Sequence, residues 1–383
     1  MKNLVNPSAF LVHPCWYPVQ DDLVRWLFNI TRGQMKNFDH ISQLIPKIFG
    51  SVRSLIRGEK EPYNPEYTFL PLIPFTDDLL IHPRKRKEVN QSMINSMNWT
   101  YGWMKQENYL KTDKVIFGLG AYTAVASKNG ELFYPPHLNN GADPLNSNIQ
   151  IVSGDKFTAL LGFQQIKEIS KKLDISNPRI LFIGGTGTTG SLIIKLLLRD
   201  GFDKKRINSI SKKPNKAKDF ENETGISCFV NNDFSVKNTL ENFIHQHDII
   251  VIVTSGNPMI EPEFFTNKIK AVVDFTMPRF LVRSAEKLNY EKIFYVDGGW
   301  ARIPSDMFCY GVDINNPTRR IVYACLAETL IGAFHPKTAT MKHDLVGVDL
   351  LAQAANELGV TLAPPQLFSN AIQYPERKKK FII

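Results

Sequence analysis

RILFIGGTGTTGSLIIKLLLR, residues Arg179–Arg199, holds a short apolar run, a glycine turn and an amphipathic segment in that order. The order predicts a buried strand at Ile180–Ile183, a tight turn at Gly184–Gly190 and a helix beyond it. Two glycine spacings overlap here. Gly185, Gly187 and Gly190 give G-x-G-x-x-G, and Gly184, Gly187 and Gly190 give G-x-x-G-x-x-G. Either spacing lets the backbone turn sharply, approach a pyrophosphate and pack the helix close to the strand. N–H groups at the helix start, where Thr188 and Thr189 lie, would then face the phosphates at the positive end of the helix dipole. A glycine triplet alone also arises in purely structural turns. Flanked by a strand and a helix, it reads as a dinucleotide site.

Downstream the strand–helix pattern repeats. Ile207–Ser211, Ser227–Val230, Asp248–Thr254, Ala271–Phe275 and Ile293–Val296 read as further strands. The chain is thus α/β, with a Rossmann-type doubly wound parallel sheet of about six strands. An NAD site places Asp or Glu at the end of the second strand, against the ribose 2′-hydroxyl. Ser211, Lys212 and Lys213 stand there instead and suit a 2′-phosphate, so the cofactor expected is NADP(H). The rival is a lysine-rich surface loop. Thr254, Ser255 and Gly256, after the fourth strand, are expected near the nicotinamide half, with Asp297, Gly298 and Gly299 closing the crevice.

Upstream, Phe10–His13 reads as a strand. Asp21–Ile30 and Ile41–Ile56 show helical apolar spacing, and the proline-rich Glu61–Pro74 reads as extended or looped. Arg84-Lys85-Arg86-Lys87 opens a helix reaching about Asn108, with Met93, Ile94, Met97, Trp99 and Trp103 on its apolar side. Val115–Leu119 reads as a buried strand followed by a turn with Gly120 and Thr123. Ile149–Ser153 is a short strand, and Gly154–Leu173 a helix leading to the linker Asp174–Pro178.

The 383 residues suffice for two or three domains. The hydrophobic fraction of 43% and charged fraction of 22% are those of a globular protein rather than a disordered one. No apolar run reaches the roughly 20 residues of a membrane helix, and the N-terminus is a poor signal peptide. Cys15, Cys228, Cys309 and Cys325 are far apart, which argues against a zinc site or disulfide framework and for a reducing cytoplasm. The net charge of +9 suits a polyanionic partner without choosing one. The basic-then-apolar end, Arg377–Ile383, reads as a solvated tail, with peripheral membrane contact as the alternative.

After Asn315-Asn316-Pro317, Thr318 reads as the N-cap of a helix running through Leu330. Cys325 and Glu328 share a face of it, with Ala324 and Ala327 leaving room beside the thiol. On that boundary Cys325 lies past the first turn, out of the dipole's reach. Such a cysteine is more often an inert core residue; the sharper reading is an acyl-accepting nucleophile.

GLGAYTAV at Gly118–Val125, SGDKFTA at Ser153–Ala159, FIGGTGTTG at Phe182–Gly190 and YACLAETL at Tyr323–Leu330 together resemble the long-chain acyl-[acyl-carrier-protein] reductases. These form fatty aldehydes, and their bacterial relatives are often labelled predicted amino acid dehydrogenases. The similarity covers residues 113–365. It implies that Cys325 takes the acyl group as a thioester and that NADPH releases the aldehyde. It also implies that Gly120, Thr123 and Thr158 line the acyl pocket, and it favours Gly184, Gly187 and Gly190 as the working triplet. The sequence departs from the family at Ala124 and at Asp155-Lys156-Phe157. The layout is similar to shikimate-dehydrogenase-like two-domain oxidoreductases. It implies a substrate-binding α/β domain at 1–174, an NADP(H)-binding Rossmann domain at 178–313, and C-terminal helices at 314–383 returning to the first.

The function expected is reduction of a long-chain acyl thioester, carried by acyl carrier protein or coenzyme A, to an aldehyde. Backbone N–H groups near Gly120 or Gly298 are the expected oxyanion donors. No nucleic acid or metal is called for. The first rival is a shikimate-like or amino-acid-like dehydrogenase with no covalent intermediate. It needs a lysine–aspartate pair in the crevice, and Asp155 and Lys156, being adjacent, cannot readily both supply it. The second is a non-catalytic NADP(H)-binding protein.

Overall fold

The computed structural model describes residues 8–11, 52–57, 68–70, 84, 86–106, 110, 112–120, 122–134, 144–230, 237–255, 260–276, 279–281, 288, 290–304, 306–309, 320–367 and 370–373. The readings at Asp21–Ile30, Gly256, Thr318 and Arg377–Ile383 lie outside them. The strands are β1 (Ser8–Leu11), β2 (Val52–Arg57), β3 (Thr68–Leu70), β4 (Val115–Leu119), β5 (Ile149–Val152), β6 (Ile180–Ile183), β7 (Ile207–Ser211), β8 (Cys228–Val230) and β9 (Ile249–Ile252). There follow β10 (Ala271–Asp274), β11 (Phe294–Asp297), β12 (Trp300–Arg302), β13 (Asp306–Cys309), β14 (Ile321–Tyr323), β15 (Thr361–Leu362), β16 (Gln366–Leu367) and β17 (Asn370–Ala371). The helices are α1 (Arg86–Gln106), α2 (Tyr122–Ala126), α3 (Asp155–Lys172), α4 (Thr188–Arg199), α5 (Pro214–Thr224), α6 (Lys237–Ile244), α7 (Ala324–Phe334) and α8 (Leu345–Glu357).

Two compact units divide the chain. One comprises Met1–Phe157, Arg302–Lys342 and Asp349–Thr361; the other comprises Thr158–Ala301, His343–Val348 and Leu362–Ile383. The second holds a sheet in the order β17-β16-β11-β10-β9-β6-β7-β8. Its strands β8 to β11 and β6, β7 are all parallel, each paired in register, for example Ile180 with Ile249 and Ala271 with Phe294. Every residue of β6, β9, β10 and β11 is buried, as continuous apolar strands covered on both faces require. In α4, Leu192, Ile193, Ile194, Leu196 and Leu197 supply the buried stripe. The parallel strands follow the doubly wound order 3-2-1-4-5-6, with the switch point between β6 and β9. The sheet has eight strands rather than the six read from the sequence, because β16 and β17 extend it antiparallel beyond β11. At two residues each they carry no apolar periodicity to read.

The first unit has its own sheet, ordered β13-β2-β3-β1-β4-β5. β3, β1, β4 and β5 run parallel, and β2 and β13 are antiparallel additions. Val52–Ile56 therefore lies in a strand, not in the helical pattern read over Ile41–Ile56; β-branched and aliphatic residues with ladder partners favour the extended form. Met93, Ile94 and Met97 of α1 join Phe117, Leu119 and Ile151 in the core, together with Val89, Tyr101 and Met104. α7 packs on β4 and β1.

Ile321–Tyr323 is a strand, and α7 begins only at Ala324, with Tyr323 in extended conformation at its N-cap. The helix read from Thr318 is thereby corrected: the branched and aromatic run Ile-Val-Tyr holds the chain extended up to that point. Cys325 becomes the second residue of α7, inside its first turn.

Candidate functional site

In the second unit the glycine turn sits at the switch point. Gly184 adopts φ +95, and a side chain there would meet Thr254 and the Val253 carbonyl at 2.9 Å. The chain thus bends directly over the end of β9 with no room for a Cβ. Gly190 has the same role on the helix side, where a Cβ would come within 2.8 Å of the Gly185 Cα and 2.9 Å of the Gly184 carbonyl. A Cβ on Gly185 would approach the Ser209 hydroxyl at 2.6 Å. Gly187 is the N-cap of α4, and Thr188 and Thr189 are its first-turn residues. All four glycines are used, so both overlapping spacings have a physical basis: Gly184 turns, Gly187 opens the helix, and Gly185 and Gly190 permit close packing.

At the end of β7 the Ser211 hydroxyl lies 3.1 Å from that of Thr186, joining the glycine turn to the second strand, and it accepts from the Lys213 N–H. Lys212 and Lys213 are exposed beyond it, with Pro214 opening α5. Thr254 is half-buried against Gly184, while Ser255 is exposed. Phe275 fills the space that side chains at Gly162 or Gly298 would need, at 2.8 and 2.5 Å. Thr158 approaches the point where a Cβ of Gly299 would sit, at 3.5 Å, so it lies beside the turn after β11. The Gly298 N–H donates to the Asp274 carbonyl at 2.8 Å. It is already engaged, which removes it as the expected oxyanion donor.

One feature here had no clear signal in the sequence. Asp274 and Asp297 end adjacent parallel strands, and Arg279 joins them. The Asp274 carboxylate accepts from the Thr276 N–H and hydroxyl and from the Leu281 N–H at 2.9, 2.6 and 3.0 Å. Arg279 donates to the carbonyls of Asp274 and Gly298, with its Nε 4.0 Å from Asp297. Burial raises the Asp274 carboxyl above its ordinary value, against the pull of Arg279 and Thr276. The cluster fixes the loop after β10 and the turn holding Gly298.

In the first unit a second constellation gathers at the carboxyl ends of β4 and β5. A Cβ on Gly154, which has φ +80, would fall 2.2 Å from the Cys325 Cβ, 2.7 Å from its Cα and 3.2 Å from the Leu119 carbonyl. The turn after β5, the end of β4 and the first turn of α7 therefore converge on one point. Cys325 is partly exposed, whereas Ala324 and every residue from Leu326 to Ala333 are buried. Gly120 and Thr123 close the adjacent turn. The Gly120 N–H donates to the Thr123 hydroxyl at 2.9 Å, and that hydroxyl donates to the Gly120 carbonyl at 2.8 Å. The Gly120 N–H is thus occupied as well, and Thr123, fully buried, acts within its own turn. The N–H groups of Cys325 and Leu326 in the first turn of α7 are directed at the sulfur and lower its pKa. Against them stand burial first, then the Glu328 and Asp155 carboxylates, which push the thiol up to about 12. The resting residue is a thiol, not the thiolate a ready nucleophile would show.

Glu328, one turn along α7, is fully buried. Its carboxylate accepts from the Phe157 N–H at 2.9 Å and lies 3.6 Å from the Lys156 ammonium, which is equally buried. Lys156 points inward, donating to the carbonyls of Thr338 and Thr340. Among the described residues no group of three or more His, Cys, Asp or Glu could hold a metal ion, and no helix is long and apolar enough to cross a membrane.

A parallel sheet of this order, with a glycine turn at its switch point, defines a dinucleotide-binding domain. Residues 184–298 match the model of a family described as NAD(P)H-binding. The search of curated proteins returned no match. Among solved structures, L-tryptophan dehydrogenase from Nostoc punctiforme is similar at 12% identity and TM-score 0.33, over 77% of this chain and 71% of that one. The hetero-hexameric glutamate dehydrogenase of Thermus thermophilus is similar at 10% identity and TM-score 0.35, over 94% and 78%. The nucleotide-binding domain of glutamyl-tRNA reductase from Thermoplasma volcanium is similar at 13% and 0.25, over 36% and 84%. At these values no activity is transferred from them.

Proposed function

We propose that the protein reduces a long-chain fatty acyl thioester, on acyl carrier protein or coenzyme A, to the aldehyde through an acyl group carried on Cys325. The observation that supports this is the placement of Cys325. It is a partly exposed thiol in the first turn of a buried helix, against a glycine that leaves it room. Attack of its sulfur on the thioester carbonyl forms the Cys325 thioester and breaks the carrier's C–S bond, and the proton lost by Cys325 ends on the departing carrier thiol. The first-turn N–H groups of α7 replace those of Gly120 and Gly298 as oxyanion donors. The cofactor, when bound at Gly184–Gly190, supplies hydride to the acyl carbon. The Cys325 sulfur then leaves and regains a proton. Lys212 and Lys213 favour NADP(H) over NAD(H), because an exposed ammonium pair rather than a carboxylate follows β7.

Intact mass after incubation with an acyl thioester, without reduced cofactor, tests the reading. An adduct is expected on the wild type and none on Cys325→Ala; an adduct that survives the substitution refutes it. One observation favours a second reading. With its thiol held protonated, Cys325 is also compatible with a dehydrogenase that moves hydride without a covalent intermediate. Undiminished turnover in Cys325→Ala would establish that alternative.

A further inference from the structure

Lys156 and Glu328 are ionisable, wholly buried and unused by the chemistry above. Isolated buried charges are costly, and a buried pair is retained only where geometry and hydrogen bonds compensate. Here Lys156 and one Glu328 oxygen are hydrogen-bonded, while Glu328 Oε1 makes no hydrogen bond and meets Lys156 only as an ion, and these ties join three segments. The Glu328 carboxylate caps the start of α3 through the Phe157 N–H at 2.9 Å, and it faces the Lys156 Nζ at 3.6 Å. Lys156 reaches on to the carbonyls of Thr338 and Thr340 and to the Thr340 hydroxyl at 3.4 Å. The start of α3, the first turns of α7 and the segment after α7 are thus fastened around one ion pair. Gly154 lies two residues before Lys156, and Cys325 three before Glu328. The fastening therefore acts on the two residues whose close approach shapes the thiol's surroundings.

We infer that the Lys156–Glu328 pair is the positioning device for Cys325: it locks the α3 start against the first turn of α7 and sets the charge that the sulfur meets. The inference rests on Cys325 being the reacting group. The charged groups at this place are Asp155 and Lys156 from α3 and Glu328 from α7 itself. Asp155 and Glu328 disfavour the thiolate; burial raises the Glu328 carboxyl above its ordinary value, and Lys156 draws it back toward the charged form. The ammonium is the one cation of the three, so the two halves of the pair pull on the thiol in opposite directions.

That opposition makes the test. Cys325 alkylation by iodoacetamide is followed by peptide mass, separately from Cys15, Cys228 and Cys309, at about pH 9.5, where even a buried unpaired carboxylate is ionised. Thiolate fraction rises tenfold per unit of thiol pKa lowered, while nucleophilicity falls by about half as much on a logarithmic scale, leaving about a threefold rate change per unit. Glu328→Gln is expected to label about threefold faster than wild type, and Lys156→Met about threefold slower. Mere loosening of the packing would expose the sulfur and speed both, so equal acceleration overturns the inference. Should Lys156→Met fail to fold, Glu328→Gln is compared with the double variant Lys156→Met/Glu328→Gln, neither of which leaves an unpaired carboxylate. The double variant is expected to label more slowly, and identical rates overturn the inference. Labelling uses no thioester, so its outcome is separate from that of the acylation assay. Shifts of the expected sign without an acyl adduct remove the proposed function and leave the pair only as a determinant of the thiol's surroundings, whereas an acyl adduct without those shifts removes the positioning role alone.

Discussion

Replacing Gly154 with alanine puts a methyl group 2.2 Å from the Cys325 Cβ, far inside contact distance, in a backbone with φ +80. Two costs follow. Left-handed backbone disfavours any β-carbon by about 1–2 kcal/mol. Overpacking a close-fitted contact adds roughly 1–3 kcal/mol, because the neighbouring atoms include the Cys325 Cα, which moves only with the helix. The sum is about 3 kcal/mol, or roughly 6–12 °C in the melting temperature of a unit this size. Gly359 separates the two costs. It lies in the same unit at φ +70, and a Cβ there would meet only Pro304, at an ordinary 3.9 Å. Gly359→Ala is therefore expected to lose only the backbone share, about 1–2 kcal/mol. Both variants are followed by differential scanning calorimetry, with and without reduced cofactor to identify the dinucleotide-binding transition. Gly154→Ala should also lose Cys325 acylation while its NADPH affinity stays at the wild-type value. Equal melting losses in the two variants, or undiminished acylation in Gly154→Ala, would refute the close approach of Cys325 to the turn after β5.

Two further outcomes follow. Lys212→Ala/Lys213→Ala is expected to raise the dissociation constant for NADPH by about 10-fold or more, the range of a charged hydrogen bond, and to leave that for NADH unchanged; titration by cofactor fluorescence checks the ratio. His247 is buried, with its Nε2 2.9 Å from the Asn208 amide and its Nδ1 2.9 Å from the Phe243 carbonyl, and burial lowers its pKa below 6.5. A neutral native histidine has a fixed sign: its contribution is intact above about 6.5 and is lost as the pH falls from there toward the lowered folded value. Urea unfolding from pH 7 to 5 should show an acid decline that His247→Gln flattens.

The dinucleotide half was legible because its signals are local. Gly184, Gly187 and Gly190 sit between an apolar strand and an amphipathic helix, and the backbone constraint that needs glycine lies within seven residues. The four-residue strands β6 and β9 are apolar on both faces, so composition alone announces them. The Cys325 site is different in kind. Its decisive contact joins residues 154 and 325, and its ion pair joins 156 and 328, separations at which no periodicity operates. The start of α7 is hidden from local signals as well, since a threonine after a proline looks like a cap, while the Ile321-Val322-Tyr323 run suits a helix's apolar face as well as it suits the extended backbone it adopts. That shift of five residues, from a cap at Thr318 to one at Tyr323, changes the chemistry. With the helix starting at Thr318 the sulfur would lie beyond the dipole and the unbonded N–H groups; with the start at Ala324 it lies among them. The same geometry places Asp155 and Glu328 close enough to hold the thiol protonated. A cysteine under these opposing influences is stable against stray electrophiles and gains reactivity when the balance of charge around it changes. The Lys156–Glu328 pair is the part of that balance that substitution can move in either direction.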